Sequence, residues 1–278
     1  MRIVHTETCP DIGPICNLRQ EPPQIHDQRL TVAELRASID RAVNDVFAVE
    51  FQLPVRMVVS SIEFQRLDGT PFEPDYESIH HRSETLVGLG DPWAVARASL
   101  HLGSVVAMAR VGATIPLGST VPDPFKLGDN GLSHQHVQFG TGIFQPIVGV
   151  AAAHVTGGWR LRGHALAILG LYENRYGYRP GHRLLGGVGA DAAVGDTLLS
   201  FGADVAREQE EHWAGTAHME GNLGRTDVLL NMGVARPLSE RWRWSLLLRV
   251  PVAQFVPHDA ITYPGIVELR LDGTTAGK

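Results

Sequence analysis

The sequence predicts an all-β protein, a closed up-and-down antiparallel transmembrane β-barrel of about twelve strands, and three observations carry that expectation. Apolar and polar residues alternate with a period of two over stretches of about ten residues, which sorts them onto two faces of a strand and would scatter them around a helix. The 30 glycines and 17 prolines fall mainly between those stretches, as turn punctuation does. Tight connections alternate with longer polar ones, the construction of membrane barrels. No run of 18 or more apolar residues occurs. A spanning helix needs about 20, so a barrel is the remaining way to cross a bilayer.

Residues 1–29 are rich in proline and polar side chains, show no clear period, and are expected to form an irregular periplasmic lead-in with room for one hidden strand. The barrel is expected over 30–272, followed by a short tail at 273–278. Its first strand places Ala33, Leu35, Ala37 and Ile39 against Glu34, Arg36, Ser38 and Asp40. Asn44 and Asp45 supply the turn into a strand at 46–59. There Phe47, Val49, Phe51, Leu53, Val55, Met57 and Val59 oppose Ala48, Glu50, Gln52, Pro54, Arg56 and Val58. Further strands are expected at 91–100, 105–117, 136–154, 159–171, 183–194 and 226–237, with blurred phase in the first and third of these.

After the Gly195-Asp196 turn, Leu199, Phe201, Ala203 and Val205 oppose Leu198, Ser200, Gly202, Asp204 and Ala206. At 242–253, Trp242, Trp244, Leu246, Leu248, Val250 and Val252 oppose Arg243, Ser245, Leu247, Arg249, Pro251 and Ala253. The last strand sets Tyr263, Gly265, Val267, Leu269 and Leu271 against Glu268, Arg270 and Asp272. Eleven strands are readable in this way, and the even number usual in bacterial barrels asks for one more. Segments 67–84, 118–134, 172–182, 207–225 and 255–261 then become outer loops. The tight connections become periplasmic turns, with Trp159, Trp242 and Trp244 beside them as an aromatic girdle.

The stretches GLGDPWAVARA, VGATIPLGST, HQHVQFGTGIFQPIVGV, LYENRYGYRPG and SERWRWSLLLRVPVAQ resemble the MetA phenol-degradation-pathway family of outer-membrane transporter-like proteins. The resemblance runs in order from about residue 30 to 271. It implies a twelve-stranded barrel in the outer membrane of a Gram-negative bacterium that passes small hydrophobic or aromatic solutes. Its partners would be outer-membrane lipid, the barrel-assembly machinery and those solutes. The opening residues Met1 to His5 show no signal-peptide core.

The polar faces supply the candidate lumen: Glu34, Arg36, Asp40, Glu50, Arg56, Arg110, Arg160, Arg162, Asp204, Arg243, Arg249, Glu268 and Arg270. These charges either select solutes or pair to fill the lumen. Among 13 histidines, His80, His81, His134, His136, His182, His212, His218 and His258 fall in outer loops. His134 and His136 alternate, so both imidazoles can face one side and share a zinc- or copper-like ion. Cys9 and Cys16 are close enough in sequence for a local disulfide.

A net charge of -6 argues against nucleic acid as a partner. GLGDPW and GGVGADAAVG lack the strand-to-helix setting and the lysine of a phosphate loop, and neither GxSxG nor HExxH occurs. No enzyme activity and no cofactor are therefore expected. Two readings stand beside the channel: a non-transporting barrel that binds metal or another ligand through its loop histidines, and a soluble β-barrel with an ordinary apolar core.

Overall fold

The computed structural model describes residues 2–7, 23–75, 78–219, 221–257 and 261–274. Cys9, Cys16 and His258 lie outside these residues, and with them the expected disulfide. In chain order the elements are β1 (Arg2–Glu7), β2 (Gln24–Ala42), β3 (Phe47–Arg66), β4 (Glu84–Leu89), β5 (Trp93–Leu102), β6 (Val105–Thr114), α1 (Pro124–Asp129), β7 (Pro146–Thr156) and β8 (Trp159–Ile168). They continue with β9 (Tyr178–Arg179), β10 (Arg183–Val194), β11 (Thr197–Glu208), β12 (His212–Trp213), β13 (Arg225–Pro237), β14 (Trp242–Phe255) and β15 (Ile266–Gly273).

One antiparallel sheet of 13 strands runs β1-β2-β3-β5-β6-β7-β8-β10-β11-β13-β14-β15, with β4 beside the far half of β3. β4 pairs with Val55 to Ser60 of β3, and β5 with Phe47 to Gln52. The two are one bent strand interrupted at Gly90-Asp91-Pro92, where proline has no N–H for the ladder. Counted so, the sheet has twelve strands. β9 and β12 form a separate two-stranded sheet among the loops. Neighbours in sequence are neighbours in space, so every tight turn lies at one end of the sheet and every long loop at the other. Asn44 shows how a turn is set: its Oδ1 accepts from the backbone N–H of Val46 at 2.9 Å and of Phe47 at 2.8 Å.

The two faces have the expected assignment. Phe47, Phe51, Val111, Val150, Val188, Phe201, Met232, Trp242, Leu246 and Leu269 are all exposed on one face. Buried on the other are Thr114, Asp191, Asp204, Asp227 and Asn231, with a small apolar cluster of Val95, Ile147 and Ile168 towards the loop end. A water-soluble sheet hides its apolar face, and this one shows it. Phe47, Phe51, Trp242 and Leu246 point away from the face that an ordinary apolar core, the soluble-barrel expectation, would have them cover.

Several boundaries differ from the sequence-based expectation. β2 reaches back to Gln24, and Arg2–Glu7 pairs with Gln24 to Arg29, so the lead-in contributes two stretches of strand at the loop end. The strand expected over 136–154 begins only at Pro146; residues 136–145 are loop. The last strand starts at Ile266, so Tyr263 and Gly265 precede it. A bulge where Val228 and Leu229 meet β14 leaves Val252 without a ladder partner, and Gln254 pairs with Asp227 on the polar face. Among the described residues the ladder ends at β1 on one side and β15 on the other.

Candidate functional site

The polar face carries the predicted charged residues as discrete networks. On β2 and β3, Arg56 Nε donates to Glu34 Oε2 at 2.7 Å, and Arg36 Nε to Glu34 Oε1 at 2.9 Å. Arg97 pairs with Asp40, and its Nε is 4.0 Å from Glu50. On β8 and β10, Arg160 and Arg162 converge on the fully buried Asp191 at 2.8 and 3.2 Å. His164 stands 3.9 Å from Asp204. Glu268 takes Arg249 at 3.4 Å and Arg270 at 2.9 Å.

Arg110 lies on the same face with its stem close to Gly149, where a Cβ would meet Arg110 Cγ at 3.0 Å. Arg243 sits at the turn end, exposed, opposite Asp272 in the ladder. Arg97, Asp191, Asp227 and Arg225 belong to the networks but were not among the predicted residues. Each lies in a strand for which no polar face was readable from the sequence, β5, β10 or β13, so the ladder register is what places them on this face. Arg225 chelates Asp227 at 2.7 and 2.8 Å, donates to Ile261 O, and stacks over Tyr263, tying those two residues to this face.

The 115–145 loop folds onto the polar face instead of standing away from the sheet. Asp91 holds it: Oδ1 accepts from Gly118 N at 2.9 Å, and Oδ2 accepts from Thr141 N and Thr141 Oγ1 at 2.7 Å each. Both loop legs thus meet one carboxylate. They pass so closely that a Cβ on Gly140 would lie 2.5 Å from the Gly118 backbone. Phe139 presses on β4 at Gly88, where a Cβ would come within 2.4 Å of its ring, and Phe139 O accepts from Arg56 at 3.4 Å. The loop also contains α1, started by Asp123, whose carboxylate accepts from Phe125 N and Lys126 N at 3.1 and 3.3 Å.

Beside α1 the loop histidines gather. The ring centroids of His80 lie 4.3 Å from His81, 5.0 Å from His134 and 4.4 Å from His136. His26 of β2, fully buried, stands edge-on to His81 at 4.8 Å. One ligand nitrogen from each of His80, His134 and His136 falls within 4.8 Å of the others. His134 and His136 are thus together, on a loop and not on a strand, and His80 joins them from a different connection. His182 and His212 lie apart from this group, His182 Nδ1 accepting from Gly170 N at 3.1 Å. His218 stacks on Phe125 at 3.9 Å.

A second loop-end cluster surrounds Glu211. Trp213 Nε1 and Asn222 N each donate to its carboxylate at 3.3 Å, and Tyr178 packs on Trp213 at 4.8 Å. Burial, reinforced by the charge of Glu208, raises the pKa of Glu211 above the ordinary glutamate value. Tyr178 is raised too, by burial first and then by Glu211 and Glu208.

The sequence matches no protein-family model and no curated protein. The structure is similar to the crystal structure of an outer membrane channel from Pseudomonas putida F1. The TM-score is 0.56 at 14% sequence identity, over 97% of this chain and 91% of that one. The fold is similar to that of this channel. Nearly full coverage on both sides makes the likeness one of the whole sheet and not of a few hairpins.

Proposed function

We propose that this protein is an outer-membrane channel for small solutes, and that its sheet closes into a barrel where β15 approaches β1 and β2. The observation that carries the reading is the inverted sheet: exposed Phe, Val, Leu and Met side chains cover one face from β3 to β15, while Asp191, Asp204 and Asp227 are buried on the other. A single layer can bury one face only by curling around it. An apolar exterior needs lipid, and a charged interior needs water or counter-charges. The likeness to an outer membrane channel supports the same reading.

The turn end then faces the periplasm and the loop end the exterior, with Trp159 and Trp242 in the interfacial girdle. The lumen wall is Glu34, Arg36, Asp40, Glu50, Arg56, Arg110, Arg160, Arg162, Asp204, Arg243, Arg249, Glu268 and Arg270. The 115–145 loop narrows it from the loop end. Phe139 against Gly88 sets an aromatic surface beside the Glu34-Arg56 pair. That combination suits small hydrophobic or aromatic solutes carrying one polar group, as the resemblance to the MetA pathway family also implies. No catalytic role is assigned to any residue.

Liposome swelling tests the proposal. Vesicles holding the refolded protein should swell in isotonic solutions of a small aromatic alcohol faster than protein-free vesicles, and more slowly with a disaccharide. Equal swelling rates with and without protein, for the wild type and for a variant with the loop released, would overturn it.

A further inference from the structure

We propose that His80, His134 and His136 form a binding site for one divalent transition-metal ion of the zinc class, which ties two loops together at the loop end. His80 comes from the 67–83 connection and the other two from the 115–145 loop, so the ion would bridge segments more than fifty residues apart in the chain. The backbone already brings them together: His134 N donates to Ile79 O at 3.0 Å, and Arg82 donates to His134 O at 3.2 Å and to Ile79 O. Little ordering is left for the metal to impose.

The chemistry of the donors selects the ion. Three imidazoles suit zinc, copper or nickel and are poor ligands for magnesium or calcium, which take oxygen. Bonds of about 2.0–2.1 Å in tetrahedral geometry need nitrogens about 3.4 Å apart. From separations of at most 4.8 Å, ring rotation closes the difference. The ring of His134 is already oriented as a ligand, because its Nδ1 lies 2.9 Å from Leu132 O, a bond that protonates Nδ1 and leaves Nε2 to the ion. Phe125 stands edge-on to His136 at 5.0 Å and holds that ring from the α1 side. Three protein ligands leave the fourth position to water or to a solute group.

This site is independent of the channel reading, because binding is measured without transport. The full chain, refolded in detergent, is titrated with cobalt(II) and then with zinc. Wild type should take up one cobalt ion per chain with intense visible bands of low coordination number, and zinc should displace it. His80→Ala and His136→Ala should each weaken zinc affinity by tenfold or more, since even outer-shell changes at metal-binding histidines cost about 10–100-fold. His154→Ala, at the turn end beside Ser104, should leave it unchanged. Heat-modified gel mobility in each variant reports whether the barrel has folded. Weak six-coordinate cobalt spectra in the wild type, or equal zinc affinity in folded wild type, His80→Ala and His136→Ala, would overturn the proposal.

Discussion

Replacing Asp91 with alanine should release the 115–145 loop from the polar face of the sheet. The carboxylate is buried and accepts three hydrogen bonds, from Gly118 N, Thr141 N and Thr141 Oγ1. A hydrogen bond to a charged group is worth about 1.5–3 kcal/mol. The freed donors can rehydrate at the loop end, so the lower bound applies and the sum is about 4.5 kcal/mol. At about 1.4 kcal/mol per tenfold, the open-loop population rises by a factor of about 10³. Asp91→Asn keeps one acceptor oxygen but turns an NH₂ towards Gly118 or Thr141, so it should fall between wild type and alanine.

Two readouts follow from the same perturbation. Amide exchange at Gly118 and Thr141 should quicken by up to that factor, and single-channel recordings in planar bilayers should show larger or noisier steps. If exchange quickens while the current is unchanged, the loop does not narrow the path. If neither changes, Asp91 is not the latch and the argument from its three bonds is wrong.

Three further outcomes are expected. Leu246→Arg should lower barrel stability in lipid by about 2 to 4 kcal/mol, the cost of a charge at the bilayer midplane, whereas Ser245→Arg, on the polar face, should cost far less; equal unfolding midpoints would contradict the face assignment. Arg249→Gln combined with Arg270→Gln should shift reversal potentials towards cation selectivity without loss of folding, because Arg249, Arg270 and Glu268 are each about a third exposed or more and such pairs contribute about 1 kcal/mol or less. Glu211 has a raised pKa in the folded protein, so the native state holds its proton to higher pH than the unfolded chain does. Its contribution is complete below the ordinary glutamate value and is lost as pH rises through the raised one. Amide exchange at 209–224 should therefore quicken over that rise in the wild type and much less in Glu211→Gln.

The strands were legible where side chains contrast. At 46–59 and 242–253, large apolar residues face charges and the period of two is plain. At 91–100 the apolar face is Ala94, Ala96 and Ala98, too small to mark a face, so Arg97 on the polar side went unread. The 136–145 segment reads as part of the 136–154 strand, where glycine and alanine blur both faces; Val137, Phe139 and Ile143 belong to the loop instead. Their apolar character serves packing inside the loop end, with Ile143 fully buried. A bulge cannot be read from spacing, and the one at Val228 moved Gln254 to the polar face.

Contacts between distant segments were beyond the sequence altogether. Asp91 meets partners 27 and 50 residues away, and nothing in GLGDPW names them. His134 and His136 attracted notice through their own spacing, but His80 joins them only once two loops fold together. The order of the turns and loops did carry over, because an up-and-down sheet keeps neighbours in sequence adjacent in space.

The central claim is that the apolar face of this sheet meets lipid while the polar face meets water. It is tested most directly by single cysteines introduced at Val188, Phe201 and Leu246 on one face and at Ser200 and Ser245 on the other, in a chain whose Cys9 and Cys16 are serine. Each is labelled with an environment-sensitive fluorophore in vesicles containing brominated lipid. The account predicts blue-shifted, lipid-quenched emission at the first three positions and unquenched emission at the other two. Quenching at Ser200 and Ser245, or none at Val188, Phe201 and Leu246, would contradict it.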